Sequence, residues 1–231
     1  MTARYAIADV AALVGEPTRA AILLALLDGR ALPAGELARE ARISPAATSS
    51  HLAKLTQGGL LVVQQEGRHR YYRLASGDVA HALESLGVIA TARPPARALS
   101  KETAALRGAR TCYDHLAGAL AVAFAEKMER ERLVRAEGDR AYAVTARGVE
   151  WLGDVLSIEV PTLGAGRRPI ARRCLDWTER RPHLAGALGA AILDRLLVMR
   201  WAARIRESRA LRITTRGRDA LSDLGLGDAL V

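Results

Sequence analysis

The chain has 231 residues, with 34 Lys and Arg against 25 Asp and Glu, a net charge of +9 and a pI near 10.3. Apolar residues make up 50% and charged residues 26%, the balance of a globular chain, which excludes collagen-like, coiled-coil and disordered classes. Two cysteines exclude a disulfide framework and fit a reducing compartment. No apolar run is long enough for a membrane helix, and an Asp interrupts the opening stretch where a secretory signal would be apolar, so a cytoplasmic protein with no membrane partner is expected.

Residues 5–14 read as a short helix with Ile7, Val10, Ala11 and Val14 on one face, ended by Gly15. Pro17 stands where a first-turn proline belongs, and Ile22, Leu23, Leu26 and Leu27 continue the helical spacing until Asp28-Gly29. Pro33 opens a third helix with Leu37, Ala38 and Ala41 facing inward. Ile43-Ser44-Pro45 is a turn with Ser44 as N-cap, and the helix after it runs to about Gln57 before Gly58-Gly59. The pattern then changes to period two. Residues 60–64 and 70–74 read as strands around a Glu66-Gly67 turn, and Ser76 caps a helix from Asp78 to about Ala90. This order has room for a helix-turn-helix followed by a two-stranded wing. Residues 91–97, with adjacent prolines, read as a linker.

The remainder repeats itself. Cys112-Tyr-Asp114-His115-Leu-Ala-Gly118 is echoed by Cys174-Leu-Asp176 and, after six inserted residues, His183-Leu-Ala-Gly186. Leu116, Leu120, Phe124 and Met128 correspond to Leu184, Leu188, Ile192 and Leu196, each stripe reading as the buried face of one helix. Each helix leads to a hairpin pattern, residues 134–144 and 201–213, and then to a matching helix start, Thr145-Ala-Arg147-Gly148 and Thr214-Thr-Arg216-Gly217. Two copies of helix–hairpin–helix that pack on each other are expected.

In the first segment, the start of the fourth helix carries Ser44, Ala46, Thr48, Ser49, Ser50, His51 and Lys54. Small side chains let a helix enter the major groove deeply, hydroxyls bond phosphates or base edges, and Ala or Thr methyls touch thymine methyls. The wing tip brings Arg68, His69 and Arg70, suited to phosphates or a narrow minor groove. Residues 5–90 resemble the ArsR-type winged-helix repressors through Glu16-Pro17-Thr18-Arg19, Glu36-Leu37-Ala38, Ser50-His51-Leu52, Gly58-Gly59-Leu60-Leu61 and Gly67-Arg68-His69-Arg70-Tyr71-Tyr72-Arg73-Leu74. The resemblance covers about 40% of the chain. It implies dimeric repressors that bind a palindromic operator and are released by a metal or another inducer. The third-helix segment, residues 33–40, holds none of the cysteines used by metal-sensing members, and the last helix offers Asp78 and His81 without a second pair, so metal sensing is not carried over.

Cys112, Asp114, His115, Cys174, Asp176 and His183 leave three readings open. Thiol and imidazole form a soft-metal set, and duplication brings two sets together as Cys2His2 or Cys2Asp2. Two cysteines that meet can form a redox-switchable disulfide. In the third reading the cysteines fill core, Asp114 is an N-cap, and the histidines bond backbone carbonyls. A metal ion is the cofactor these residues could take, and none is required for the fold. No phosphate loop, HExxH or GxSxG is present, so no enzyme is expected. The pairs Arg167-Arg168, Arg172-Arg173 and Arg180-Arg181 read first as solvated surface, then as contacts to DNA backbone.

The expectation is therefore a mainly α protein with small β-hairpins: a winged helix-turn-helix domain over residues 1–90, a linker at 91–97, and a duplicated winged-helix-like domain over 98–231 with repeat units of about 110–155 and 172–224. The expected function is sequence-specific transcriptional regulation by a homodimer on double-stranded DNA, a repressor released by a metal, redox or small-molecule signal. The alternative is a protein-interaction or chromosome-architecture module built from winged-helix units.

Overall fold

The computed structural model describes residues 4–66, 69–90, 101–165, 168–206 and 208–230, grouped in two compact units, Met1–Leu83 and Glu84–Val231. The expected linker at 91–97, the wing-tip residues Gly67 and Arg68, and Arg167 lie outside the described residues.

The first unit runs α1 (Arg4–Val14), α2 (Pro17–Ala25), β1 (Leu32–Pro33), α3 (Ala34–Ala41), α4 (Pro45–Gln57), β2 (Leu61–Glu66), β3 (His69–Leu74) and the start of α5 (Gly77–Ala90). Helix starts are set by side-chain caps. The Glu16 carboxylate accepts from the N–H groups of Thr18 at 3.0 Å and Arg19 at 2.8 Å, and Pro17 sits where no donor is needed. Arg42 adopts a left-handed conformation (φ 54°) and Ile43 N–H donates to Ala38 O at 3.0 Å. This closes α3 and redirects the chain into α4. Ile22, Leu23, Leu37, Leu52, Leu55 and Leu74 are buried, each contributing roughly 1.5–3 kcal/mol of apolar transfer. The sheet has the order β1-β3-β2, with Leu61 opposite Leu74 and Glu66 opposite His69. Strand β1 was not anticipated. It is two residues long and includes Pro33, which has no N–H to give and so sits at a sheet edge.

The second unit continues with α6 (Lys101–Gly108), β4 (Arg110–Cys112), β5 (His115–Ala117), α7 (Ala119–Arg130), β6 (Val134–Glu137), β7 (Ala141–Val144) and α8 (Ala146–Leu156). After a 3-10 turn (Val160–Ala165) come β8 (Arg172–Leu175), β9 (Pro182–Ala185), α9 (Gly186–Val198), β10 (Ala202–Arg204), β11 (Leu211–Ile213), α10 (Thr215–Asp223) and a last 3-10 turn (Gly227–Leu230). Hairpin, helix, hairpin, helix thus occurs twice. Thr145 and Thr214 cap α8 and α10, accepting from Gly148 N–H at 3.0 Å and Gly217 N–H at 2.9 Å. Leu120, Phe124 and Met128 of α7 share one buried cluster with Leu188, Ile192 and Leu196 of α9.

The hairpins exchange partners. β8–β9 extends β6–β7 through Ala141 opposite Arg172, and β4–β5 meets the β10–β11 segment through a bridge between Arg110 and Ala210. The flanking hydrogen bonds correspond: Tyr142 N–H to Ala171 O (3.2 Å) and Arg173 N–H to Arg140 O (3.0 Å) on one side, Leu211 N–H to Ala109 O (2.8 Å) and Thr111 N–H to Arg209 O (2.9 Å) on the other. One expectation needs correcting. Leu116 and Leu184, read as first members of helical stripes, lie on β5 and β9, because Gly118 (φ 90°) and Gly186 (φ 83°) break the backbone before each helix.

Candidate DNA-binding face and buried Cys2His2 centre

Ser44 caps α4, its hydroxyl accepting from Ala47 N–H at 3.3 Å, and Pro45 occupies the first helical position. Leu52 and Leu55 turn into the core, which leaves Ser44, Ala46, Ser49, Ser50, Ala53 and Lys54 exposed. The Ser49 hydroxyl donates back to Pro45 O at 3.1 Å. Thr48 does not belong to this face, contrary to the sequence reading. Its side chain is fully buried and its hydroxyl donates to Ser44 O at 2.9 Å, one helical turn back. His51 is half-buried, with Nδ1 3.4 Å from the Glu16 carboxylate, so its imidazole is held toward the start of α2. On the wing, Arg70 is exposed and stands opposite Gln65 in the ladder, and His69 stands opposite Glu66.

In the second unit, Cys112 faces His115 across β4–β5, and Cys174 faces His183 across β8–β9. Each hairpin therefore offers one thiol and one imidazole on adjacent strands. All four side chains are buried, and their ligand atoms lie within 4.8 Å of one another. The two cysteines are not joined in a disulfide. The imidazoles stack, with centroids 5.1 Å apart and planes 27° from parallel. Nε2 of His115 and both ring nitrogens of His183 are buried without hydrogen-bonding partners, so neither histidine serves a backbone carbonyl.

The aspartates stand behind the histidines instead of ligating or capping. Asp114 lies in the two-residue turn of β4–β5, 3.3 Å from His115 Nδ1, and is gripped by both terminal nitrogens of Arg168. It is not an N-cap, because a strand and Gly118 separate it from α7. Asp176 is fully buried, with Oδ2 3.8 Å from His183 Nδ1. That oxygen accepts from Gly118 N–H at 2.7 Å and Arg110 Nη2 at 2.9 Å. Oδ1 accepts from Thr178 N–H, the Thr178 hydroxyl and Glu179 N–H.

Charge states follow from these contacts. The neighbouring Cys174 sulfur and burial push the Cys112 thiol up to about 12. Burial opposes the charged form of His115, but the Cys112 sulfur and Asp114 outweigh it and raise His115 to about 9. Burial lowers His183, and the adjacent His115 charge adds to this. Burial also works against the Asp114 anion, yet hydrogen bonds from His115 and Arg168 bring it down to about 2. Burial is likewise overcome at Asp176, held below the carboxylate range chiefly by Arg110. The two imidazoles are thus shifted in opposite directions, His115 up and His183 down.

A family model described as a helix-turn-helix domain matches residues 14–64. The HTH-type transcriptional regulator YdfF of Bacillus subtilis is 44% identical over 215 residues, 93% of this chain and 94% of that protein. The chain belongs to the HTH-type transcriptional regulators. The HTH-type transcriptional regulator CmtR of Mycobacterium tuberculosis is 41% identical over 81 residues, 35% of this regulator and 68% of that protein. Among solved structures, HlyU from Vibrio cholerae is 30% identical and covers 38% of this regulator and 97% of its own chain, with a TM-score of 0.36. The match over nearly the whole length of a relative named as a transcriptional regulator makes this protein a transcriptional regulator with a helix-turn-helix domain.

Sequence reading missed one part of the regulator's centre. Arg110 is completely buried. It pairs with Asp176, lies 4.0 Å from Glu84, donates to Leu106 O and Thr178 Oγ1, and stacks over Trp177 at 4.9 Å. Arg209 donates to the other Glu84 oxygen at 2.8 Å. A lone Arg at the start of a short strand carries no local signal, because its acidic partners are 26 residues earlier and 66 residues later. Of the arginine pairs, Arg168, Arg180 and Arg181 are exposed as expected, and several members also make specific contacts. Arg168 holds Asp114, Arg181 pairs with Glu126, and Arg173 stacks on Tyr142. Among the described residues no helix is long and apolar enough to cross a membrane.

Proposed function

We propose that the regulator is a homodimeric repressor that reads a palindromic operator in double-stranded DNA. The observation that carries this reading is the exposed start of α4, where Ser44, Ala46, Ser49, Ser50 and Lys54 stand clear of the core on a rod of small side chains. Such a helix enters the major groove with hydroxyls for phosphates or base edges and Lys54 for the backbone. His51 lies at the margin of this surface. Arg70, joined by Arg68 and His69 on sequence grounds, supplies phosphate or minor-groove contacts from the wing. Two copies set α4 into half-sites one helical turn, about 34–36 Å, apart.

Residues 1–90 serve as the DNA-binding domain. Residues 98–231 serve as a duplicated winged-helix-like domain for dimerisation or signal sensing, a reading supported by the matched helices, caps and exchanged hairpins. A metal, redox or small-molecule signal received there releases the operator, and the protein works in the cytoplasm. Light scattering of the complex with a selected operator, together with a reporter driven from that operator in cells, tests the reading. A dimer on each palindrome and lower reporter output are expected. A monomer on single half-sites, or unchanged output, contradicts it.

A further inference from the structure

We propose that Cys112, His115, Cys174 and His183 form a closed tetrahedral site for a d10 dication of the Zn2+ class, held by two thiolates and two neutral imidazoles. The inference rests on this donor set and not on the repressor reading, so either can fail without the other.

Four observations converge. The donors come from equivalent cross-strand positions of two hairpins and lie within 4.8 Å of one another. A tetrahedral ion with bonds of about 2.3 Å to sulfur and 2.0–2.1 Å to nitrogen needs donors roughly 3.3–3.8 Å apart, within reach of small side-chain rotations. Three imidazole nitrogens in this buried centre have no hydrogen-bonding partner in the protein, although buried polar atoms are normally satisfied. Asp114 stands 3.3 Å from His115 Nδ1 and orients that ring, leaving Nε2 as its unpaired nitrogen, and Asp176 lies 3.8 Å from His183 Nδ1, near but beyond direct hydrogen-bond distance. A carboxylate behind a ligating histidine fixes its tautomer and orientation. Each carboxylate is in turn neutralised by an arginine, Arg168 or Arg110, and this gives the surrounding shell a purpose that core packing would not.

The chemistry of the donors selects the ion. Sulfur and imidazole disfavour Mg2+ and Ca2+. Two thiolates cancel a charge of +2, so a dication leaves the buried centre neutral, whereas a monovalent ion leaves a net negative charge in low dielectric. As the ion binds, two Sγ–metal and two imidazole nitrogen–metal bonds form in place of its bonds to water, and the two thiol protons, together with the proton that His115 carries at neutral pH, leave to solvent. Four protein ligands fill a tetrahedron and leave no open position, the pattern of a structural rather than a catalytic ion. Because the ligands come in pairs from the two hairpins, the ion ties the two halves of the second unit together.

The test uses the full-length chain, reduced, stripped with a chelator and titrated with Co2+. Expected are a single equivalent of Co2+ per chain, intense visible bands of a tetrahedral ion, a near-ultraviolet thiolate-to-cobalt charge-transfer band, and loss of all of these on adding Zn2+. Cys174→Ser should halve the charge-transfer band, and His115→Gln should keep it while shifting the visible bands. Asp114→Asn should weaken Zn2+ about 10–100-fold in a competition titration. If a ligand variant fails to fold, the wild-type spectrum decides. A weak octahedral spectrum without charge transfer overturns the proposal. So does a chain isolated as a Cys112–Cys174 disulfide that binds no Co2+ after reduction.

Discussion

His115 and His183 stack with centroids 5.1 Å apart, though 68 residues separate them in the chain. The same offset relates Leu116 to Leu184 and Leu120 to Leu188, so the imidazole pair sits where two similar halves of the second unit meet. Each half contributes one hairpin to the centre and one hairpin that receives its partner's strand. The second unit should therefore fold cooperatively, with neither half stable alone.

Loading the centre should stabilise the fold. Zn2+ at about 100 times its dissociation constant should add about 2.7 kcal/mol, because the unfolded chain holds no preformed site. The check is denaturant unfolding of stripped and Zn2+-loaded protein under reducing conditions. Cys112→Ser should remove the difference, and a difference that survives would place the ion elsewhere.

Two glycines should tolerate no side chain. A Cβ on Gly217 would lie 2.0 Å from Trp201 O, and one on Gly148 would lie 2.0 Å from Leu133 O. Each backbone carbonyl receives the capping threonine of its own helix start, so it cannot move away without loss. Gly217→Ala and Gly148→Ala should each cost about 1–3 kcal/mol in unfolding experiments. A neutral result at either would mean that the helix start is looser than its hydrogen bonds indicate.

Asp176→Ala should be among the most damaging single changes. It leaves Arg110 buried with Glu84 at 4.0 Å as the nearest remaining carboxylate, and it orphans the N–H groups of Gly118, Thr178 and Glu179. Breaking a buried pair in this way costs about 3–5 kcal/mol. Replacing Arg110 and Asp176 together by apolar residues should recover part of the loss, measured as non-additivity in a double-mutant cycle.

On α4 the contrast lies between Ser50 and Thr48. Ser50→Ala should leave stability unchanged and weaken or relax operator binding, while Thr48→Val should lower stability by about 1 kcal/mol and leave base preference alone. Equal effects on binding from both would mean that Thr48 reaches the DNA. Arg70→Ala should reduce the slope of log affinity against log salt by about one unit if it neutralises one phosphate. An unchanged slope would remove Arg70 from the contacts.

Where a local signal was strong, the sequence was readable. Ser44-Pro45 announced α4 by its cap, and Thr145 and Thr214 announced α8 and α10 in the same way. The convergence of the Cys and His sets was foreseeable from the repeat, because similar halves that pack together bring equivalent residues to their junction. Their secondary structure was not. Three- and four-residue strands such as β4 and β9 are too short to show alternation, and His-Leu-Ala runs straight into a helix. Thr48 misled because a hydroxyl at the start of a helix can bond outward or back to the preceding turn, and only its position on the core side decides.

Selection of bound sequences from random duplex DNA decides whether the exposed face of α4 reads an operator. Enrichment of one palindrome is expected, with half-sites a helical turn apart, bound by orders of magnitude more tightly than random DNA and losing that preference in Ser50→Ala. Uniform binding to all sequences, or enrichment untouched by changes on the exposed face of α4, would contradict this reading.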